Sequence, residues 1–423
     1  MASYNRDIRQ SLEDGSFAAI IKQRLECIKD QIDDLSLWGA EPTINSKLFK
    51  NFIYELLDFF PNVHSLMFST NAILGDVIFD DFLIPLYEYA EQHQREITFK
   101  LQMSLDGPPE FNDDSRHPGA TASTLKTMTD ILTKCPAESD YFKLEISTKT
   151  TLDVSYMRQM IKGGIEKFQW YYDFFDKVIE DALVAAGDKH TINIQVGSSP
   201  TLVDPGYHTV EDGKTFAKWV RMLPYVDRSH FKHYTGPLFM QPLGGIENLI
   251  TSYNPLADAV NVSSCSASKN NISIDHEGNF YTCNRLCRNA ALGGEAIKKH
   301  AMQSNSSVGL PDKKWLKHTY GSYSVHENIL TRKHFIDSQI VTLAEVNQID
   351  PKYVNDSDAR LLLFFLTLGV SCHIGAEEDY TQNPFVMPFS YLRLFGNGAL
   401  EAMLDYYKLE VLRGNMRPWK IVM

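Results

Sequence analysis

The first half of the chain switches repeatedly between two periodicities, and this alternation limits the fold more than any other feature. Runs with every second residue apolar read as strands, and runs with apolar residues three or four apart read as amphipathic helices. Ile8 to Asp33 has helical spacing (Phe17, Ile20, Ile21, Leu25, Ile28, Ile32) and leads into a strand at Leu35 to Trp38. Ser46 stands as the cap of a helix from Lys47 to Phe60, ended by Pro61. Leu66 to Ser69 follows as a strand, Phe79 to His93 as a helix and Ile97 to Leu105 as a strand. Ala122 to Thr133 is helical, Lys143 to Ser147 strand-like, Val154 to Ile161 and Lys167 to Ala186 helical, and Thr191 to Val196 strand-like. Strands separated by helices at this spacing predict repeated βα units around a parallel sheet, either barrel-like or doubly wound. In both, functional loops lie at the carboxyl ends of the strands. The loops at those ends here are 38–43, 69–72, 104–116 and 147–151.

The rhythm stops near residue 200, at Ser198-Ser199-Pro200 and Asp204-Pro205-Gly206. A looser stretch runs to about 260, a cysteine-bearing stretch with a hairpin signal follows, and the chain beyond about 310 reads as mostly helical. The expected architecture is α/β: parallel strands, barrel-like or doubly wound, over residues 1–225, a cysteine hairpin region over 226–300 and a helical C-terminal region over 301–423.

Hydrophobic residues at 43% and charged residues at 22% are those of a soluble globular protein, which excludes disordered and collagen-like chains. Lys+Arg 41 against Asp+Glu 53 leaves −12, with no basic stripe, so no nucleic-acid partner is expected. Met1 to Arg9 is polar and lacks the apolar core of a secretory signal. The most apolar stretch, Leu361 to Val370, is too short to span a bilayer. A cytoplasmic, membrane-free protein is expected, in which six cysteines are buried thiols, metal ligands or catalytic groups rather than disulfides.

Cys265, Cys283 and Cys287 fall within 23 residues of one another. Ile272-Ser273-Ile274 and Phe280-Tyr281-Thr282 flank Asp275-His276-Glu277-Gly278-Asn279, a strand–turn–strand pattern that returns Cys283 beside Asn271. Cys372, in Gly369-Val370-Ser371-Cys372-His373, is the natural fourth thiol. Such a set suits zinc or an iron–sulfur cluster; ordinary buried cysteines are the competing reading. Cys27, on a helix face, and Cys135, at a helix end, read as core or surface residues. The aromatic run Trp170, Tyr171, Tyr172, Phe174, Phe175 reads as helix packing.

Four motifs in order resemble the radical S-adenosylmethionine enzymes with a cysteine-rich C-terminal extension (the SPASM group), which includes the anaerobic sulfatase-maturating enzymes. Gly39-Ala40-Glu41-Pro42 is similar to that family's G-G-E-P strand end, and Thr70-Asn71-Ala72 to its T-N-G. Ser104-Leu105-Asp106-Gly107-Pro108, followed by Asn112-Asp113 and Arg116, is similar to its S-L-D-G-P segment. Cys265-x12-Gly278-x4-Cys283 fits the opening of the extension. The resemblance implies that Gly39, Ala40, Glu41 and Pro42 lie beside the methionyl amino group of S-adenosylmethionine. It places Thr70 and Asn71 at the same mouth, and Ser104 and Asp106 near the ribose or substrate. Cys265, Cys283, Cys287 and Cys372 would hold an auxiliary iron–sulfur cluster or zinc.

The family's C-x-x-x-C-x-x-C, which binds the radical-generating cluster, is absent from the sequence; only Cys27 precedes Gly39. The resemblance therefore implies a partial (β/α) barrel of parallel strands over residues 1–225 without its first strand, whose cluster loop comes from a separate polypeptide or was lost by truncation. The assembled enzyme would modify a peptide, protein or small substrate by hydrogen abstraction. A non-catalytic scaffold of the same fold and an unrelated structural-zinc α/β protein are the alternatives. Asn284 stands where sulfatase-maturating relatives carry an Asp base, so that chemistry is not expected here. Ala40 and Ala72 replace family glycines, which is tolerable wherever the backbone does not require a positive φ.

Overall fold

The alternating segments build an α/β structure around a four-stranded, wholly parallel sheet. The computed structural model describes residues 2–37, 41–187, 189, 201–202, 209–234, 238, 273–278, 280–281 and 399–414. The strands are β1 (Asp34–Leu37), β2 (Ser65–Thr70), β3 (Ile97–Ser104) and β4 (Phe142–Lys149), and they lie in space in the order they follow in the chain. Their register places Leu35, Leu66, Phe99 and Leu144 in one row and Leu37, Phe68, Leu101 and Ile146 in another. In β2, β3 and β4 these residues are almost wholly buried. Period-2 geometry sends the intervening residues to the opposite face. That face carries Ser36, Met67, Ser69, Lys100, Gln102, Ser104, Glu145 and Ser147, none of them fully buried.

Helices cover the apolar face. Phe68 packs edge-on against Phe99 and against Phe82, and Phe142 packs against Tyr87. The helix α3 (Ser46–Phe59) buries Phe52, Ile53, Leu56 and Leu57. Arg95 closes its C-terminal end: the guanidinium donates to the Leu57 and Phe60 carbonyls and to that of Val63 just beyond the helix. Ser46 does not cap α3: Asn45 holds the N-cap position, and the Ser46 hydroxyl donates instead to Asp81. A short turn α4 (Gly75–Val77) runs through a π-helical stretch, Ile78–Leu83, into α5 (Ile84–His93). Pro85 has no N–H to return to the Asp81 carbonyl, which accounts for the loosened ladder there.

The single helix expected over 8–33 is broken. It forms α1 (Ala2–Glu13), α2 (Ser16–Leu25) and a 3₁₀ turn, Glu26–Gln31. Gly15 takes φ 73°, and the Asp14 carboxylate accepts the Ser16 N–H at 2.9 Å, which restarts the helix. After β3 comes α6 (Pro109–Ser115), then α7 (Ala120–Lys134). The two helices expected over 154–186 are present, running end to end within α8 (Val154–Ala186) and separated at Gly164, whose φ 69°, ψ −166° is not helical. The aromatic run of α8 is core, as expected: Tyr171, Tyr172 and Phe175 have no exposed surface.

Past the sheet, β5 (Thr151–Leu152) pairs in parallel with β6 (Thr201–Leu202). The expected strand at 191–196 lies outside the described residues. The looser stretch after 200 contains α9 (Val210–Met222), opened by a reciprocal capping box between Thr209 and Asp212. The expected hairpin is present as β7 (Ser273–Ile274) and β8 (Phe280–Tyr281), antiparallel, with Ser273 opposite Tyr281. Its turn residue Gly278 has φ 80°, and a Cβ there would lie 2.5 Å from Ile20 Cγ2, so the turn presses on α2. The C-terminal helix α10 (Ala399–Leu412) packs on α9. Glu410, wholly buried, is held there by Arg228 and Arg413, each at 3.1 Å.

Candidate functional site

Parallel strands put all their carboxyl ends on one rim, and Glu41, Pro42, Thr70, Asn71 and Asp106, of the residues picked from the sequence, lie along it. The sequence following β1 turns back at Pro42–Asn45, a 3₁₀ turn that buries Pro42 and Thr43. Glu41, just before it, reaches sideways to the tip of β2. Its Oε1 accepts the hydroxyls of Thr70 (2.6 Å) and Thr43 (2.9 Å), and its Oε2 accepts the Asn71 N–H (2.7 Å). One carboxylate thus ties two strand tips together. Gly39 and Ala40 lie outside the described residues.

The backbone immediately after this tie is strained. Ala72, fully buried, adopts φ 57°, the region that favours glycine. The position does require a positive φ, and alanine occupies it. The Ala72 N–H donates to Thr70 Oγ1 at 3.0 Å, and its carbonyl accepts the Thr127 hydroxyl at 2.8 Å. Thr124 donates to the Asn71 carbonyl. Bonds on every side hold the strained turn in place, the pattern found where geometry at a site is over-determined.

Asp106 repeats the arrangement at the tip of β3. Its Oδ1 accepts the Thr151 N–H at 2.8 Å; its Oδ2 accepts Arg116 Nη2 at 2.9 Å and the Ser115 hydroxyl at 3.1 Å. The Asp106 N–H donates to Asn112 Oδ1, and the Asp106 carbonyl accepts the buried Tyr171 hydroxyl. Gly107 follows at φ 150°; a Cβ there would lie 2.7 Å from the Tyr171 ring. Asp113 accepts the Thr121 and Gly119 N–H groups and the Thr121 hydroxyl. Desolvation works against its ionised form, but these bonds hold its carboxyl below the ordinary range.

Ser104 lies on the polar face of the sheet, near the rim but away from these ties. The register aligns Ser69, Gln102 and Ser147 in one row across β2, β3 and β4, with Ser104 one step nearer the rim. Among the described residues none of these four side chains has a hydrogen-bond partner, and Gln102 Oε1 is buried as well as unpaired. Sequence reasoning picked out Ser104 and passed over Ser69, Gln102 and Ser147 as binding residues. The alternation of β3 announces that Gln102 faces away from the core, but its neighbours depend on the register between strands.

Cys265, Cys283, Cys287 and Cys372 lie outside the described residues. Among the described residues no group of three or more His, Cys, Asp and Glu side chains is placed to hold a metal ion. Cys135 is buried at the end of α7, and burial pushes its thiol up to about 12, which leaves it unreactive at neutral pH; Cys27 is exposed. Among the described residues no helix is long and apolar enough to cross a membrane. No family model, curated protein or solved structure matches the chain.

Proposed function

We propose that this chain is a radical S-adenosylmethionine-type polypeptide that holds the cofactor at its strand tips, with the radical-generating cluster loop supplied elsewhere. One observation carries the reading. The Glu41 carboxylate ties Glu41-Pro42 to Thr70-Asn71, so described parts of two motifs that resemble the family share a single rim with Ser104 and Asp106. A partial barrel is the finer architecture this reading requires. Strands in sequential order with one apolar and one polar face support it, since a doubly wound sheet is covered on both faces.

The residues present suit a nucleotide with a cationic amino-acid end. The strand-tip carbonyls around Glu41 would accept from the methionyl amino group. Asn71 Nδ2 and the Ser104 hydroxyl offer further polar groups toward the ribose and carboxylate. Glu41 and Asp106 act by position: they fix the tips and leave the ligand contacts to neutral groups and backbone. When bound to a reduced cluster, the cofactor supplies hydrogen-atom abstraction from a peptide, protein or small substrate. Cys265, Cys283, Cys287 and Cys372 would hold an auxiliary iron–sulfur cluster or zinc, a proposal consistent with the β7–β8 pairing between the first two.

Co-expression with a polypeptide carrying a strand and C-x-x-x-C-x-x-C, followed by anaerobic reconstitution, tests the reading. Cofactor cleavage by the pair and by neither part alone is expected; no cleavage by any such pair overturns the enzyme assignment. Iron counting separates about four irons at the auxiliary site from one zinc. A second reading, a non-catalytic scaffold, is favoured by the full engagement of both rim carboxylates within the chain.

A further inference from the structure

We infer that the polar face of the sheet is a binding surface for a neutral amide, read by Gln102 between Ser69 and Ser147. The three side chains stand in register on adjacent parallel strands. Neighbouring strands are about 4.8 Å apart, so the row presents hydroxyl, carboxamide and hydroxyl across roughly 10 Å. Among the described residues none of them has a hydrogen-bond partner, and Gln102 Oε1 is shut off from solvent as well. Most buried polar atoms in folded proteins are paired, and an unpaired one is costly. Here the unsatisfied acceptor lies on the face opposite the hydrophobic core, beside idle hydroxyls and below the rim of strand tips.

The chemistry of the row selects the ligand. A carboxamide offers one acceptor and one donor group in a plane, which matches the donor and acceptor of another amide. The charged residues of this face do not enter the row. Lys100, one step further from the rim, is turned to Asp34 at 3.7 Å, Glu145 shares the Lys100 row, and Lys149 lies one step nearer the rim, opposite Ser104. Among the described residues the row itself holds no cation to pair with a carboxylate or phosphate. An ester has the shape of an amide but lacks its N–H, so it would leave the Gln102 oxygen unpaired. The surface stands on the geometry of the sheet, whether or not the rim binds a sulfonium nucleotide.

Ligand-observed saturation-transfer NMR on the full chain, without S-adenosylmethionine, tests this with three probes: N-methylacetamide, methyl acetate and acetate. Transfer to the amide is expected to exceed transfer to the ester by at least about threefold, a factor one neutral hydrogen bond can supply. In Gln102→Met, of similar shape, the amide signal should fall to the ester level while the melting temperature rises by about a few degrees. Ser147→Ala and Ser69→Ala should each weaken the amide signal, and they carry the test if Gln102→Met does not fold. Equal transfer to amide and ester, strongest transfer to acetate, or an amide signal indifferent to these substitutions would overturn the inference. None of those results bears on the cofactor reading, because no cofactor is present.

Discussion

Two groups of polar residues lie within a few residues of one another at the carboxyl half of the sheet, and they are treated in opposite ways. At the rim, Glu41 and Asp106 are surrounded by donors from their own chain. On the sheet face, Ser69, Gln102, Ser104 and Ser147 have no partner among the described residues. The contrast teaches that a conspicuous charge in a motif can be a fastening, while the groups left unpaired among the described residues are neutral ones that attract no notice in a sequence. A carboxylate desolvated at a strand tip must be compensated locally, and once compensated it has little left to offer a ligand.

The comparison breaks most sharply at Asp106. Asp106→Ala leaves Arg116 without its partly buried partner and the Thr151 N–H unpaired, and should destabilise the protein by roughly 3 kcal/mol in urea unfolding. Glu41→Ala should cost about 2 kcal/mol in the same measurement, through the Asn71 N–H and the two hydroxyl protons it leaves without an acceptor. Glu41→Gln should recover most of that, because its amide oxygen can keep the Asn71 N–H while its NH₂ donates to the Thr70 and Thr43 hydroxyls, which can accept. Gly107→Ala, which drives a methyl against Tyr171 and strains a backbone at φ 150°, should cost about 1–3 kcal/mol. If either carboxylate substitution is neutral in urea, the fastening role fails.

Smaller effects sharpen the same contrast. Asp113 has a folded pKa below its ordinary 3.8, so its contribution to stability is complete above that value and is lost as pH falls through the folded one. An NMR titration of the Thr121 and Gly119 amides should show release in that acid window; release centred above pH 3.8 would contradict it. Ala72→Gly relieves a positive φ but loosens the unfolded chain, so it should alter stability by no more than about 1 kcal/mol. A loss well beyond that would mean the Ala72 methyl carries packing that the strain argument omits.

Much of the sheet was legible in the sequence because burial of one face imposes a period of two that no helix imitates: Phe99, Leu101 and Met103 alternate with Thr98, Lys100 and Gln102. Helix ends were less legible. The restart of the first helix at Gly15, where φ is 73°, was passed over although Asp14-Gly15-Ser16 is a turn signal, because apolar spacing resumes directly at Phe17. The helix α6 spells Pro-Glu-Phe-Asn-Asp-Asp-Ser, a polar string that reads as loop, because it is held by tertiary bonds at Asn112 and Ser115 rather than by propensity. The start of α9 did carry a readable signal, Thr209 three residues before Asp212. For the site, the motifs located the rim, but whether Glu41 faces a ligand or a neighbouring strand depends on a contact 29 residues away at Thr70.

The most direct test of the central claim, that the Glu41-tied rim is the nucleotide pocket, is saturation transfer from the full chain to S-adenosylmethionine. The account predicts transfer to its adenine and ribose protons, abolished in Glu41→Ala and preserved in Gln102→Met. Absence of transfer to the wild-type chain, or transfer of equal strength to wild type and Glu41→Ala, would contradict it.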